Sequence, residues 1–370
     1  MNKKLIITGI RGIPAHYGGF ETFAEKLSLY LVEHGWQVTV YCQENAELDV
    51  VSAALWESNW QGITLVHVPV KGDTALASIK FDWLCLLDII KRDGLVLTLG
   101  YNTALFNVLL RVKGRSYLMN MDGLEWQRNK WRWYEKTWLY LNERFGCWFA
   151  NHLIADHPEI ARHLETRVSS NKITTIGYGG REVYNADVKL IQRFGLQPKG
   201  YAIVIARPEP ENHILEIVQA FSERPRNCQL VILGNYSHEV PYQAEVLKAA
   251  SSEIRFIGAI YDAEILDSLR FYAKLYIHGH KVGGTNPSLI EALGAAQPIL
   301  AHDNVFNRYV AGKSAVYFKD AKDCDKHLSN LLGDESKLTQ LSQVAHQQFL
   351  ENYRWQIILQ KYQTLLEKYV

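Results

Sequence analysis

The segment from His280 through Lys281, Val282, Gly283, Gly284, Thr285, Asn286, Pro287 and Ser288 to Glu291 sets a glycine turn, a helix start and one carboxylate in a fixed order. Asn286 is suited to cap a helix, and Pro287 to its first position, where no backbone N–H is needed. The free N–H groups beyond them, with the positive end of the helix dipole, favour an anion at the glycine turn. Glu291 falls a little over one turn into that helix. It can therefore accept hydrogen bonds from hydroxyls attached to the anion, as the sugar of a nucleoside diphosphate would be. Taken alone, the same residues also describe an ordinary capped helix with a surface glutamate.

A second glycine loop follows Leu5-Ile6-Ile7-Thr8, an apolar run of the kind that forms a buried parallel strand. It reads Gly9-Ile10-Arg11-Gly12-Ile13-Pro14-Ala15-His16-Tyr17-Gly18-Gly19-Phe20-Glu21, after which Phe23, Leu27, Tyr30 and Leu31 recur at helical spacing. With Val38-Thr39-Val40-Tyr41 as the next strand, the loop lies at the carboxyl end of the first strand of a βαβ unit, where open α/β sheets bind ligands. The glycines are not spaced as a dinucleotide fingerprint, and no acidic residue closes the second strand. A dehydrogenase is not expected on that ground.

Together, Arg11-Gly12-Ile13-Pro14 through Gly18-Gly19-Phe20-Glu21 and Gly283-Gly284-Thr285-Asn286-Pro287-Ser288 resemble the retaining glycosyltransferases of family 4, in their bacterial rhamnosyltransferase branch. Three further pieces agree in order: Asn120-Met121-Asp122-Gly123-Leu124-Glu125-Trp126, Arg207-Pro208-Glu209-Pro210-Glu211-Asn212, and Ala301 to Arg308. The resemblance implies an α/β GT-B fold, two Rossmann-like domains facing across a cleft with a C-terminal helix crossing back to the first. It implies a nucleotide-sugar donor and no metal or other cofactor. Arg207, after the first strand of the second domain, would hold the phosphates and stabilise the leaving group. The family's lysine a few residues on is missing from Glu211-Asn212-His213. Asn212 or the amides of Gly283, Gly284 and Thr285 would substitute, with Gly18 and Gly19 approaching from the other domain and His280 and Ser288 completing the cradle. Glu291 matches the second glutamate of the family's paired motif, which binds the ribose. The first should lie eight residues earlier, where Gly283 stands. A missing carboxylate cannot be a nucleophile, so the chain is expected to work by front-face attack with retention.

On the acceptor side the resemblance points to Asp122, at a strand end where the wider family has a histidine, and to Glu125 and Tyr178. Asp122 reads equally as a helix-capping aspartate. From Trp126 to Trp148, Trp126, Trp131, Trp133, Trp138 and Trp148 alternate with Arg128, Lys130, Arg132 and Lys136, an interfacial composition. It reads as a docking patch on the inner face of the cytoplasmic membrane, or as tryptophans that line the core or grip sugars. The expected reaction moves L-rhamnose from dTDP-L-rhamnose to a lipid-linked saccharide in cell-surface polysaccharide assembly, such as O-antigen or capsule. A UDP- or GDP-sugar transferase and a non-catalytic sugar-nucleotide or glycan binder are the alternatives.

The elements that must hold these groups are legible. A chain of 370 residues exceeds what one core supports, and 48% hydrophobic residues with a net charge of +1 describe a globular protein with no bias toward nucleic acid. Cys42, Cys85, Cys147, Cys228 and Cys324 are scattered, as in a reducing cytoplasm, and neither a signal peptide nor a spanning segment is expected. Strands alternate with helices up to Ile176, then the polar stretch Arg193 to Gly200 precedes a new strand at Tyr201. Domains are expected at 1–188 and 189–345. A last helix at 346–370 carries the stripe Trp355, Ile358, Leu359, Tyr362, Leu365, Leu366 and Tyr369, which needs a surface to cover.

Overall fold

The computed structural model describes residues 3–15, 18–45, 54–72, 74–128 and 131–370. The chain divides into two compact units, Met1–Gly177 with Gln356–Val370, and Tyr178–Trp355. The first holds an eight-stranded sheet. Its strands are β1 (Lys4–Thr8), β2 (Gln37–Asn45), β3 (Trp56–Trp60), β4 (Ile63–Val70), β5 (Leu95–Leu99), β6 (Tyr117–Asn120), β7 (His152–Ala155) and β8 (Ile173–Thr175), in the order β3-β4-β2-β1-β5-β6-β7-β8. All pairings are parallel except β3 with β4. The central strands β5, β6 and β7 are buried at every position, as a sheet covered on both faces requires.

The second unit holds six parallel strands: β9 (Tyr201–Ile205), β10 (Gln229–Leu233), β11 (Ile254–Phe256), β12 (Leu275–His278), β13 (Ile299–His302) and β14 (Ala315–Phe318), in the order β11-β10-β9-β12-β13-β14. Tyr201, Ile203, Val231, Leu233, Tyr276 and Ile299 pack in one core cluster. Ala202, Val204, Leu230, Ile232, Leu275 and Leu300 pack in another. The period of two along each strand builds two apolar layers, one per face.

The unit limits differ from the expected 188/189 and 345/346. Residues after Gly177 already belong to the second unit: Gly180 N–H donates to Tyr353 O at 2.7 Å, and Val183 N–H to Gly294 O at 2.9 Å. The helix Glu335–Asn352 stays whole within that unit, burying Leu338, Leu341, Ala345 and Phe349. The chain rejoins the first unit only at Gln356. There the helix Trp355–Leu366 buries Ile358, Leu359, Tyr362, Leu365 and Leu366. Tyr362 packs on Phe23 with ring centroids 4.6 Å apart and accepts from Asn120 Nδ2 at 2.9 Å, while Lys3 pairs with Glu367 at 2.7 Å.

Candidate functional site

In each sheet the strand order reverses beside the first strand, between β1 and β5 and between β9 and β12, and ligands of open α/β sheets bind at such switch points. In the second unit the loops after β9 and β12 meet there. Gly279 makes this possible, because a Cβ would overlap the Asn212 carbonyl oxygen. Asn212 is buried; its Nδ2 donates to Arg207 O at 2.8 Å and its Oδ1 bonds His280 Nδ1. With the amide oriented by Arg207 O, its Oδ1 accepts from His280 Nδ1–H. The His280 carbonyl is gripped by Asn304 Nδ2 at 3.0 Å and Asn307 Nδ2 at 2.8 Å. Lys281 N–H donates to Glu211 O at 3.0 Å, and His213 Nδ1 bonds Gly279 O at 2.9 Å.

The glycine turn and helix start take the expected form. Gly283 has φ of 119°, a left-handed value that favours glycine. Asn286 caps the helix Pro287–Gly294 by accepting from Ser288 N–H at 2.9 Å, with Pro287 in its first turn. Ser288 is turned inward, its Oγ 2.6 Å from Tyr276 OH and 3.3 Å from Ile205 O, so it fixes the helix to the sheet. Thr285 is buried, and Gly284 is half-buried. Glu291 Oε2 pairs with Arg270 Nη2; the arginine side chain is 4% exposed and the glutamate 40%. A buried guanidinium thus aims a carboxylate that still faces solvent. Arg207 and Lys281 are exposed, and Lys281 lies near enough to help hold His302 down. Behind the turn, burial first and the neighbouring His213 second depress His302 to about 4. Burial likewise drives His278 far below the usual imidazole range. The two histidines behind the turn are therefore held neutral.

In the first unit, Gly18 has φ of 100° and a Cβ there would overlap Glu21 Oε2. Glu21 and Glu25 reach back from the helix Gly19–Glu33 to Arg11 N–H at 3.1 Å and Ala15 N–H at 2.7 Å, tying the loop to its helix. Gly18 and Gly19 are exposed, so their backbone is open to a ligand; His16 and Tyr17 lie outside the described residues. Asp122 carries φ of 52°, unusual for a residue with a Cβ, and its N–H donates to Asn120 Oδ1 at 3.0 Å. The short helix Glu125–Gln127 has Leu124, not Asp122, at its N-cap. Tyr101, buried after β5, latches this turn by donating to Gly123 O at 3.1 Å and accepting from Glu125 N–H at 2.9 Å.

Glu125 and Tyr178 lie in different units. Glu125 takes Arg128 Nη1 at 2.8 Å and Trp131 Nε1 at 3.3 Å, so its carboxylate braces its own segment. Tyr178 lies in the second unit, edge-on to Trp355 at 4.9 Å. The tryptophans divide as well. Trp126 Nε1 donates to Glu143 at 2.7 Å and Trp138 Nε1 to Asn102 O at 2.8 Å, whereas Trp133 and Trp148 are 78% and 53% exposed. Burial would raise the Glu143 carboxyl, but bonds from His163, Trp126 and Arg167 outweigh it and hold the group low. Of the basic residues expected beside the tryptophans, Arg128 is engaged by Glu125 and Lys130 lies outside the described residues.

Sequence reasoning missed Gly279, Arg270, Tyr101 and Lys281. Gly279 and Lys281 flank His280 directly. Arg270 gave no signal, because its partner is 21 residues away on another helix. Among the described residues, no three His, Cys, Asp or Glu side chains gather as a metal site, and no helix is long and apolar enough to cross a membrane.

Residues 2–181 match a domain of unknown function (DUF1972), and residues 189–348 match glycosyl transferases group 1. No curated protein matches the chain in sequence. Solved structures resemble it over their whole length. Sucrose-phosphate synthase from Thermosynechococcus elongatus has a TM-score of 0.79 at 14% identity, covering 100% of this chain and 99% of that one. Anabaena Alr3699/HepE, in complex with UDP and glucose, has a TM-score of 0.75 at 13% identity, covering 99% and 100%. The E. coli structure described as trehalose-6-phosphate bound with UDP-2-fluoro glucose has a TM-score of 0.73 at 11% identity, covering 100% of both chains. Residues 189–348 are thus a glycosyltransferase group 1 domain, and the chain that carries it is a glycosyltransferase of the GT-B fold.

Proposed function

We propose that the chain transfers a sugar from a nucleoside diphosphate to a saccharide with retention, most specifically L-rhamnose from dTDP-L-rhamnose to a lipid-linked acceptor. The observation that carries the reading is the switch-point cradle: a left-handed glycine turn before a capped helix, with Glu291 aimed by Arg270 and with Arg207 and Lys281 exposed on the two loops that meet there. Amides and cations suit the diphosphate, and the carboxylate suits ribose hydroxyls. Lys281, on the same turn, takes the place of the cation missing near Asn212. Gly283 offers no nucleophile. The acceptor hydroxyl therefore attacks the anomeric carbon on the face that the phosphate leaves. As the new C–O bond forms and the C–O bond to phosphate breaks, the hydroxyl proton passes to the departing phosphate oxygen. Arg207 and Lys281 stabilise the charge that develops there. Asp122, held in its left-handed turn, is assigned to the sugar or the incoming hydroxyl.

The nucleotide is tested by thermal shift with dTDP, UDP and GDP, since a ligand that binds the folded state raises stability. A selective rise with dTDP supports the rhamnose donor. UDP is the second reading, favoured by the complexes of Alr3699/HepE with UDP and of the E. coli structure with UDP-2-fluoro glucose, and a selective rise with UDP replaces the first. Turnover of the donor with a lipid-linked saccharide tests catalysis itself.

The acceptor's lipid is supported by the solvent face of the helix Trp133–Phe149, where Tyr134, Leu141 and Trp148 are exposed and Phe145 packs 6.1 Å from Trp148. Aromatic rings on a solvent face suit a bilayer interface, at the inner face of the cytoplasmic membrane. Co-flotation with anionic liposomes should be lost when Leu141 and Trp148 become serine; flotation equal to the parent's removes the membrane from the proposal.

A further inference from the structure

The sheet of the first unit reverses between β1 and β5, and the ends of those strands border a small polar cavity of about 50 Å³. Thr8 from the end of β1, Thr98 from β5, Asp82 from the helix Ala75–Ile89, and Thr103 and Asn107 from the loop after β5 line it. Asp82 Oδ2 accepts from Thr103 Oγ1 at 2.8 Å, and Asn107 Nδ2 donates to Thr98 Oγ1 at 3.2 Å. Among the described residues, Asp82 Oδ1 and Asn107 Oδ1 accept no hydrogen bond, and no Lys, Arg or His pairs with the carboxylate. Thr8, Thr98 and Asn107 are buried. Burial, opposed by the bond from Thr103, lifts the Asp82 carboxyl to about 6, which leaves it mostly ionised at neutral pH. Cys85, one turn along the same helix, is pushed far above the usual thiol range by burial and stays neutral beside it.

One negative charge therefore stands at this cavity without a counter-charge, an arrangement that is costly unless a cation shares the space. The lining decides which. Carboxylate, amide and hydroxyl oxygens are hard ligands, suited to alkali and alkaline-earth ions and not to zinc or copper. A single carboxylate balances one positive charge and repels an anion. The volume leaves room for an ion with about two waters. We infer that this cavity is a site for a monovalent cation, sodium or potassium, held by Asp82 with oxygens of Asn107, Thr98 and Thr103. The loop after β5 also carries Tyr101, which latches the Asp122 turn through Gly123 and Glu125. The ion thus ties that loop to β1 and to the helix Ala75–Ile89, whichever sugar the protein transfers.

Thermal unfolding of the whole protein at neutral pH, in chloride salts of sodium, potassium, calcium and tetramethylammonium at equal ionic strength, tests this, since an ion that binds the folded state raises stability. Sodium or potassium should raise the midpoint at least about 2 °C above tetramethylammonium, and whichever raises it more is the preferred ion. Asp82→Asn keeps the shape and removes the charge, so it should abolish the difference between the salts. In the parent the difference should fade as the pH falls below about 6, where a proton takes the carboxylate, and this needs no variant that folds. Equal midpoints in the sodium, potassium and tetramethylammonium salts overturn the site and leave a hydrated carboxylate. A cation effect that survives in Asp82→Asn, or that persists unchanged at acidic pH, places the ion elsewhere and overturns it too. A larger rise with calcium than with either alkali ion overturns the monovalent assignment.

Discussion

Glu291 and Glu125 both follow a strand, a loop with glycine and a helix start, and both are paired with arginine, but their surroundings differ. Arg270 comes from the separate helix Ala263–Tyr272, is itself buried, and leaves Glu291 with a 40% exposed side chain. Arg128 and Trp131 come from Glu125's own segment and leave it 16% exposed. A carboxylate fixed from behind by a buried cation is presented outward; one enclosed by its own neighbours braces a turn. The same contrast holds between the regions. In the cradle the side-chain amides of Asn212, Asn304 and Asn307 bond main-chain carbonyls and shape an open turn, whereas the Glu125 carboxylate bonds the side chains of Arg128 and Trp131.

The largest effect that would break this comparison is at Gly279. Gly279→Ala drives a methyl into the Asn212 carbonyl and must part the two loops that form the cradle. Overpacking of backbone against backbone should cost about 3 kcal/mol and abolish nucleotide binding. Denaturant unfolding and calorimetric titration check it; a variant of parental stability and affinity would mean that the loop contact does not shape the site.

Glu291→Ala comes next. Its loss removes the candidate ribose acceptor and also leaves Arg270 buried, so donor affinity and stability should each fall by about 1–3 kcal/mol. Glu291→Gln keeps the shape and should recover part of the stability but not the affinity. Unchanged nucleotide affinity in both variants rejects the ribose assignment. For Glu125→Ala the comparison demands the reverse: a stability loss of similar size with donor affinity intact.

Gly283→Glu restores the family's carboxylate. The left-handed φ of 119° strains any side chain there, and the new charge stands beside the phosphates. Turnover should fall at least about tenfold, or 1.4 kcal/mol in the barrier. A rate equal to the parent's shows that the turn accepts a carboxylate and removes the glycine from the mechanism.

Much of this was legible because parallel strands are short apolar runs. Leu95–Leu99, His152–Ala155, Gln229–Leu233 and Ala315–Phe318 are runs of that kind, while β3, Trp-Glu-Ser-Asn-Trp, has no apolar alternation. The turn, cap and helix at Gly283–Glu291 are local features and were visible as such. What was not visible depends on distant pairing. His163 reads as a surface group, yet it bonds buried Glu143 at 3.1 Å with Arg167 beside it. Gly180 joins the second unit only because Tyr353, far along the chain, accepts its N–H.

The smallest expected effect separates chemistry from turn geometry at Asp122. Its φ of 52° is tolerated by aspartate and asparagine and is natural for glycine. In Asp122→Gly the relief of backbone strain and the greater freedom of the unfolded chain offset each other, so stability should change by less than about 1 kcal/mol. Asp122→Asn should hold the turn equally well, with Asn120 and Tyr101 still latching it on either side. Turnover should nevertheless fall at least about tenfold in both variants if the carboxylate touches the sugar or the attacking hydroxyl, with donor affinity little changed. Full turnover in both would reduce Asp122 to a turn residue. The acceptor side of the first unit would then resemble the Glu125 region throughout, with polar groups that serve the fold alone.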